Sequence, residues 1–374
     1  MHRRALLTGL SACLPLMARP SLAADAPDVI GFTPDPAFLE KALRVLAAAP
    51  SLDAHAHPGR TFSRSDTGAA AGLSSFEDRT VADMRSGLLG AGSFAAVADA
   101  SVLAVTPTGI SVRRDFQPGE AFALYRHQMA DLHAVVAENK LRLIRKVSDI
   151  DACKPGRDLG AILTVEGGDF LEGSPERLRA ARDEDDVRII TLVHYRLNEL
   201  ADNQTSPAKH GGLSLAGKAV VMEMARLGIV IDVAHAAETS VRQVLEAVST
   251  PILCSHTHVK TTAVDHPRFI TPDTARAIAK AGGVIGSWPA GIGGSTLNDY
   301  VDRIFALAEV VGTGHISLGT DMDANYRPIM SSYRQLPLVV SELLRRGYGG
   351  ENVSAFLHGN LRRVFAANWG RIAA

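Results

Sequence analysis

Histidines and carboxylates recur in this sequence at the ends of short apolar runs. The run 229–233 leads to His235, and 252–254 leads to His256. The run 51–54 leads to His55-Ala56-His57. LGAILTV at 159–165 leads to Glu166, VRIITLV at 187–193 leads to His194, and 316–319 leads to Thr320-Asp321. Nitrogen and oxygen donors without clustered cysteine suit zinc or a similar divalent ion in a catalytic site. In His55-x-His57 both imidazoles fall on one side of an extended chain, because side chains alternate with period two. Both can therefore reach one ion. Two histidine pairs with Glu166 between them suit two metals about 3.5–4 Å apart, bridged by that carboxylate. A bridging water there loses a proton near neutral pH and becomes a nucleophile. Asp321 is of the type to take that proton and pass it to a leaving group. This is machinery for hydrolysis, and it does not choose among amide, ester and phosphoester.

The elements that position these residues follow from periodicity. Between the runs ending at His235 and His256, residues 236–247 have helical spacing, with Val241, Val244, Leu245 and Val248 as the apolar stripe. Strand, helix, strand at this length is a βαβ unit, so its two strands are parallel neighbours with both histidines at their carboxyl ends. That is where parallel α/β folds carry their chemistry. Strands are expected at 51–54, 94–105, 161–165, 188–193, 229–233, 251–255, 283–287 and 316–319. Helices are expected at 35–49, 80–91, 120–139, 175–185, 216–227, 236–247, 272–281, 299–311 and 360–367, with a long loop over 60–77. Eight strands alternating with helices over about 300 residues close most simply as a (β/α)8 TIM barrel. An open doubly wound sheet is the alternative. No G-x-G-x-x-G follows a strand, and G-x-x-x-x-G-K-[ST] does not occur, so no phosphate loop supports it.

The motifs in combination resemble the membrane (renal) dipeptidase family, peptidase M19-like, of the amidohydrolase superfamily. They are D-x-H-x-[D/H] at 53–57, E-G-G at 166–168, His194, G-I-x-I-D-x-[S/A]-H at 228–235, Ser255-His256, His266-Pro267-Arg268, G-x-D-x-D at 319–323 and G-N-L-x-R-V at 359–364. Together they cover nearly the whole mature chain. The resemblance implies a (β/α)8 barrel, two Zn2+ ions and hydrolysis of dipeptides, with a D residue often accepted at the C-terminal position. It implies His55, His57 and Glu166 on the first metal, and Glu166, His235 and His256 on the second. It implies that His194 polarises the scissile carbonyl and holds the oxyanion, and that Arg268 clamps the substrate's terminal carboxylate. Three departures stand out: His57 where the family commonly has Asp, Tyr195 where it usually has Asn, and Ala324 in place of a glycine.

Composition narrows the alternatives. The chain has 374 residues, 46% hydrophobic and 21% charged, with a formal net charge of −1. That gives no basic field for nucleic acid. No run after residue 30 has the ~18 uninterrupted apolar residues of a membrane span. Residues 1–23 read as a signal peptide, with Arg3-Arg4 before a mild apolar run and Ser21-Leu22-Ala23 as the cleavage site. The arginine pair points to twin-arginine export to the periplasm, with lipoprotein anchoring at Cys13 as a minor alternative. Residues 24–374 then form a single metallohydrolase domain. Cys153 and Cys254 remain in it, and no structural disulfide is expected. A homodimer is allowed but not required. The competing functions are a lactonase or N-acyl amino acid hydrolase of the same superfamily, and a non-catalytic binding protein on the same barrel.

Overall fold

The computed structural model describes residues 27–63, 74–106, 109–325 and 327–370. The expected signal peptide lies outside the described residues. Eight strands run parallel: β1 (Ser51–Asp53), β2 (Leu89–Val97), β3 (Gly160–Glu166), β4 (Val187–Thr191), β5 (Val230–Asp232), β6 (Leu253–Thr257), β7 (Val284–Ser287) and β8 (Ile316–Leu318). Each pairs with the next along the chain. Asp53 pairs with Leu318 and closes the ring. This is the (β/α)8 barrel that the alternation of elements predicts. A two-residue strand, Arg142–Leu143, adds to the start of β3 outside the ring.

Helices cover the barrel: α1 (Pro36–Ala48), α2 (Ser74–Ser86), α3 (Glu120–Glu138), α4 (Arg177–Asp183), α5 (Leu215–Leu227), α6 (Glu238–Ala247), α7 (Pro272–Lys280), α8 (Leu297–Val311), α9 (Leu336–Arg345) and α10 (Asn360–Trp369). Several start on side chains that satisfy the first free N–H groups. Asp35 caps α1 with Pro36 behind it, Ser214 caps α5, and Thr296 with Asp299 forms a capping box on α8. The stripe expected on α6 is real: Val241 and Val244 are buried, and Leu245 and Val248 pack at the edge of the core. The strands are buried on both faces, which is why they read as continuous apolar runs rather than alternating ones.

Three expectations need correction. The second strand lies at 89–97 and not at 94–105, and α2 ends at Ser86 instead of continuing to 91. Glycine at 90 and 92 hides the strand start, but Gly90 is there because a Cβ would fall 2.3 Å from the Cβ of Pro50, just before β1. Leu103–Thr106 and Gly109–Val112 pair with each other as a separate antiparallel ladder. Helix α2 begins at Ser74, inside the expected long loop, whose residues 64–73 lie outside those described. Helix α9 was not expected, and it packs on α1. Among the described residues no helix is long and apolar enough to cross a membrane. Cys153 and Cys254 are both buried and free.

A buried carboxylate fastens the closing seam. Asp53 Oδ1 accepts from the N–H of His55 at 3.2 Å and of Thr320 at 3.0 Å. Its Oδ2 accepts from Thr320 Oγ1 at 2.5 Å and Tyr333 Oη at 2.7 Å. Two of these bonds tie the end of β1 to Thr320 just past β8, and a third reaches Tyr333 ahead of α9.

Candidate metal centre

Each donor stands at or just past the carboxyl end of a barrel strand. Beyond β1 the chain stays extended against the segment after β8. The His57 N–H donates to Met322 O at 2.9 Å, and the Asp321 N–H donates to His55 O at 2.8 Å. This pairing sets His55 and His57 beside Asp321. Glu166 ends β3, and Gly167 turns the chain away at φ 96°, a conformation open to glycine. His235 (φ 66°) and Asp321 (φ 53°) adopt left-handed backbones without being glycine. Such strain costs about 1–3 kcal/mol per residue and gathers at functional sites.

Glu166 is the hub. Its Oε1 lies 3.4 Å from His55 Nε2, 3.0 Å from His235 Nε2 and 3.5 Å from His256 Nε2. Its Oε2 lies 3.3 Å from His57 Nε2 and 3.4 Å from His194 Nε2. Asp321 Oδ1 is 3.4 Å from His57 Nε2. The paired rings face each other through Nε2 at 3.0 Å, His55 with His57 and His235 with His256. All seven residues are at most 8% exposed. The structure brings all seven together. Their grouping is broader than the two expected trios, however. Donor atoms converge in three sets: His55, His57, Asp321; His55, Glu166, His256; and Glu166, His194, His235. Asp321 and His194 therefore stand among the donors as well as beside them.

Outer residues orient the rings. Asp232 Oδ2 accepts from Thr191 Oγ1 and from Ser255 Oγ, both at 2.6 Å, and Oδ1 accepts from the Ser255 N–H at 2.8 Å. Ser255 Oγ then accepts from His256 Nδ1 at 2.9 Å. His57 Nδ1 donates to Ala95 O at 3.3 Å. His194 Nδ1 meets Asp99 Oδ1 at 2.6 Å, and Asp99 Oδ2 accepts the N–H groups of Tyr195 and Arg196 at 3.2 and 2.9 Å. A ring whose Nδ1 carries the bonded proton presents a lone pair at Nε2, the arrangement metal-ligating histidines adopt. The donor set thus fits divalent ions: nitrogen lone pairs and carboxylate oxygens, buried, aimed at one point and held from behind. Sequence reading missed Asp99 and Asp232. Asp99 lies just past the end of β2. With that strand expected at 94–105 it fell in mid-strand, and a correct strand end would have flagged it.

Charge is unevenly spread. Burial works against a charged His57, but bonds to Asp321 and Glu166 and their charges outweigh it, and its pKa rises to about 10. Burial, the Arg268 charge and the His194 ring pull His235 well below the usual histidine range, and burial does the same to His256 with help from His55. Burial would raise Glu166, yet the surrounding rings, His194 and His55 foremost, hold it well below the carboxylate range. It is an anion throughout the physiological range.

Arg268 enters from the loop after β6 and is 3% exposed. Its Nη2 lies 2.9 Å from His235 Nε2, and its Nη1 donates to Gln204 Oε1 at 2.5 Å. Its guanidinium sits 5.1 Å from the Trp288 ring centroid. Its Nε is buried without a hydrogen-bond partner, so a cation with a donor to spare borders the donor cluster.

Comparison with known proteins agrees with this geometry. Residues 39–369 match the family model described as membrane dipeptidase, peptidase family M19. The chain belongs to the membrane dipeptidase family. Dipeptidase 3 of Rattus norvegicus is 31% identical over 266 residues, covering 64% of this chain and 53% of that protein. A dipeptidase of Aspergillus oryzae is 30% identical over 220 residues, covering 56% of this chain and 51% of its own. The chain thus spans about half the length of these curated relatives. Among solved structures, a metallopeptidase of Rhodobacter sphaeroides liganded with a phosphinate mimic of the dipeptide L-Ala-D-Ala superposes with a TM-score of 0.74. Its identity is 17%, and the match covers 86% of this chain and 99% of that one. A probable dipeptidase of Pseudomonas aeruginosa gives a TM-score of 0.73 at 16% identity, over 90% of this chain and 99% of that one. At these identities the likeness is one of fold.

Proposed function

We propose that the protein is a zinc-dependent dipeptidase, and that its range includes dipeptides with a D residue at the C-terminal position. The observation that carries the reading is Arg268: a buried guanidinium with an unpartnered Nε beside His235. A dipeptide has a free carboxylate a few bonds from its scissile amide, so a cation at that distance from the donor cluster has a natural use. Membership of the family supports the same reading, and the dipeptide mimic carried by the Rhodobacter sphaeroides relative is of the L-D kind. Donors of nitrogen and oxygen, with both cysteines elsewhere, favour zinc.

In this reading His55, His57, Glu166, His235 and His256 would hold two divalent ions, with Asp321 beside His57. Such ions, when bound, polarise a carbonyl and acidify water. Arg268 pairs with the substrate carboxylate in its planar fork and so fixes the amide against the donor cluster, an orienting effect realised in the transition state. Burial works against a charged His194, but Asp99 and Glu166 outweigh it and raise its pKa, so in this reading the ring also carries a proton on Nε2 and donates it in a hydrogen bond to the carbonyl oxygen as charge gathers there. Asp321 takes a proton from the attacking water and delivers it to the leaving amine. Export by residues 1–23 would place this activity in the periplasm, a proposal supported by Arg3-Arg4 and the apolar run that follows.

The test is metal analysis of the purified protein together with a substrate panel of L-L and L-D dipeptides and their C-terminal amides. About two divalent ions per chain and hydrolysis of free dipeptides over amides are expected. Equal cleavage of dipeptide and dipeptide amide would remove the clamp and favour the lactonase or acyl-amide reading.

A further inference from the structure

Tyr195 is the outermost group of the site. Its ring meets that of His194 edge-on at a centroid distance of 4.5 Å and that of His235 at 5.2 Å. Its hydroxyl lies within hydrogen-bonding reach of the Arg268 guanidinium. His194, His235 and Arg268 are buried, whereas Tyr195 is half-buried. A molecule approaching the first three therefore passes along the phenol. The residue is also pinned: its N–H donates to Asp99 Oδ2 at 3.2 Å, and its carbonyl accepts from Asn203 Nδ2 at 2.8 Å. The ring stands as a fixed wall.

We infer that Tyr195 sets the size of the substrate's C-terminal residue, and that the protein takes dipeptides ending in glycine or alanine. The inference rests on the dipeptidase reading above. A dipeptide held at Arg268 by its carboxylate and at His194 by its carbonyl has its C-terminal Cα between those anchors. Tyr195 touches both anchors, so the substituent on that Cα is what meets the ring. A hydrogen or a methyl group leaves the wall in place. A branched chain has to displace a ring whose backbone is held by Asp99 and Asn203. The N-terminal side chain projects away from this corner and is not measured by it.

The experiment uses the full, metal-loaded protein with Ala-Gly, Ala-Ala, Ala-Leu and Leu-Gly, the last varying only the N-terminal side. The native protein should favour Ala-Gly and Ala-Ala over Ala-Leu by about tenfold or more in kcat/KM, the order of effect of a few methylenes against a fixed wall, while accepting Leu-Gly. Tyr195→Ala should reduce that preference about tenfold. Tyr195→Phe, which keeps the wall and loses the hydroxyl, should keep the preference and raise KM for every dipeptide about three- to tenfold. Thermal unfolding and metal content report whether each variant is intact. If Tyr195→Ala does not fold, Tyr195→Trp decides: a larger wall should raise the preference for Ala-Gly over Ala-Ala about tenfold. Native protein that cleaves Ala-Leu as well as Ala-Gly overturns the inference, as does an unchanged ratio in an intact variant; either result leaves the dipeptidase reading standing. Native protein that cleaves no dipeptide overturns both.

Discussion

The two histidine pairs are alike in chemistry and opposite in surroundings. His55 and His57 lie against two carboxylates, Glu166 and Asp321, and His57 is driven up to about 10. His235 and His256 share Glu166, but Arg268 sits 2.9 Å from His235, and both rings are driven well below the usual histidine range. One side of Glu166 is anionic and the other cationic. The lesson is that ligand identity alone does not set what a site does. The anionic half suits a tightly held cation. The cationic half suits an arriving anion, and a substrate carboxylate is one.

Three changes sharpen or break this comparison. The largest effect is expected from Arg268→Ala, at about 3–5 kcal/mol in kcat/KM for a dipeptide, the range for removing one partner of a desolvated charge pair. The same change should tighten metal binding at the His235 pair, because a repelling charge is gone. Weaker binding there, measured by chelator competition, would break the comparison. Asp99→Asn comes next, at about 10–100-fold in kcat with a smaller change in KM, the usual cost of losing an outer partner. Asp99 supplies the buried negative charge behind His194, on the side that Arg268 otherwise dominates. Equal losses in kcat and folding stability would mark it as merely structural.

The smallest effect is a slope. Below its raised value near 10, His57 carries a proton that a metal must displace. Affinity for the first equivalent of zinc should therefore rise with pH, about tenfold per unit between pH 7 and 9. His235 and His256, lowered well below 6.5, have no proton to lose in that range, so the second equivalent should show no slope. Calorimetric titration at several pH values reads both, and parallel slopes would show the halves to be equivalent.

The barrel was legible because its strands are buried on both faces and end in polar donors. LGAILTV before Glu166 and VRIITLV before His194 carry that signal without ambiguity. The second strand was not legible, because glycine packed against Pro50 looks in sequence like a break. Helix α9 went unseen although Leu336, Val339, Val340 and Leu343 recur at helical spacing around Pro337 and are all buried. The seven side chains that converge could be picked out in sequence by their places at strand ends. Their unequal surroundings could not, since these arise from Arg268, Asp321 and Asp99 meeting across loops far apart in the chain.

The seam at Asp53 bears on the order in which the molecule is made. Its carboxylate binds partners 267 and 280 positions later, Thr320 and Tyr333. The donors themselves span His55 to Asp321. Contacts so distant in sequence form late and slowly. A nascent chain that has not yet produced β8 and Asp321 has β1 lacking one neighbour and no complete donor set, however well its middle strands have paired. The complete donor set therefore waits for Asp321, the last of the seven in the chain. A chain cut short before β8 would carry open strand edges at β1 and β7, the form most prone to aggregate.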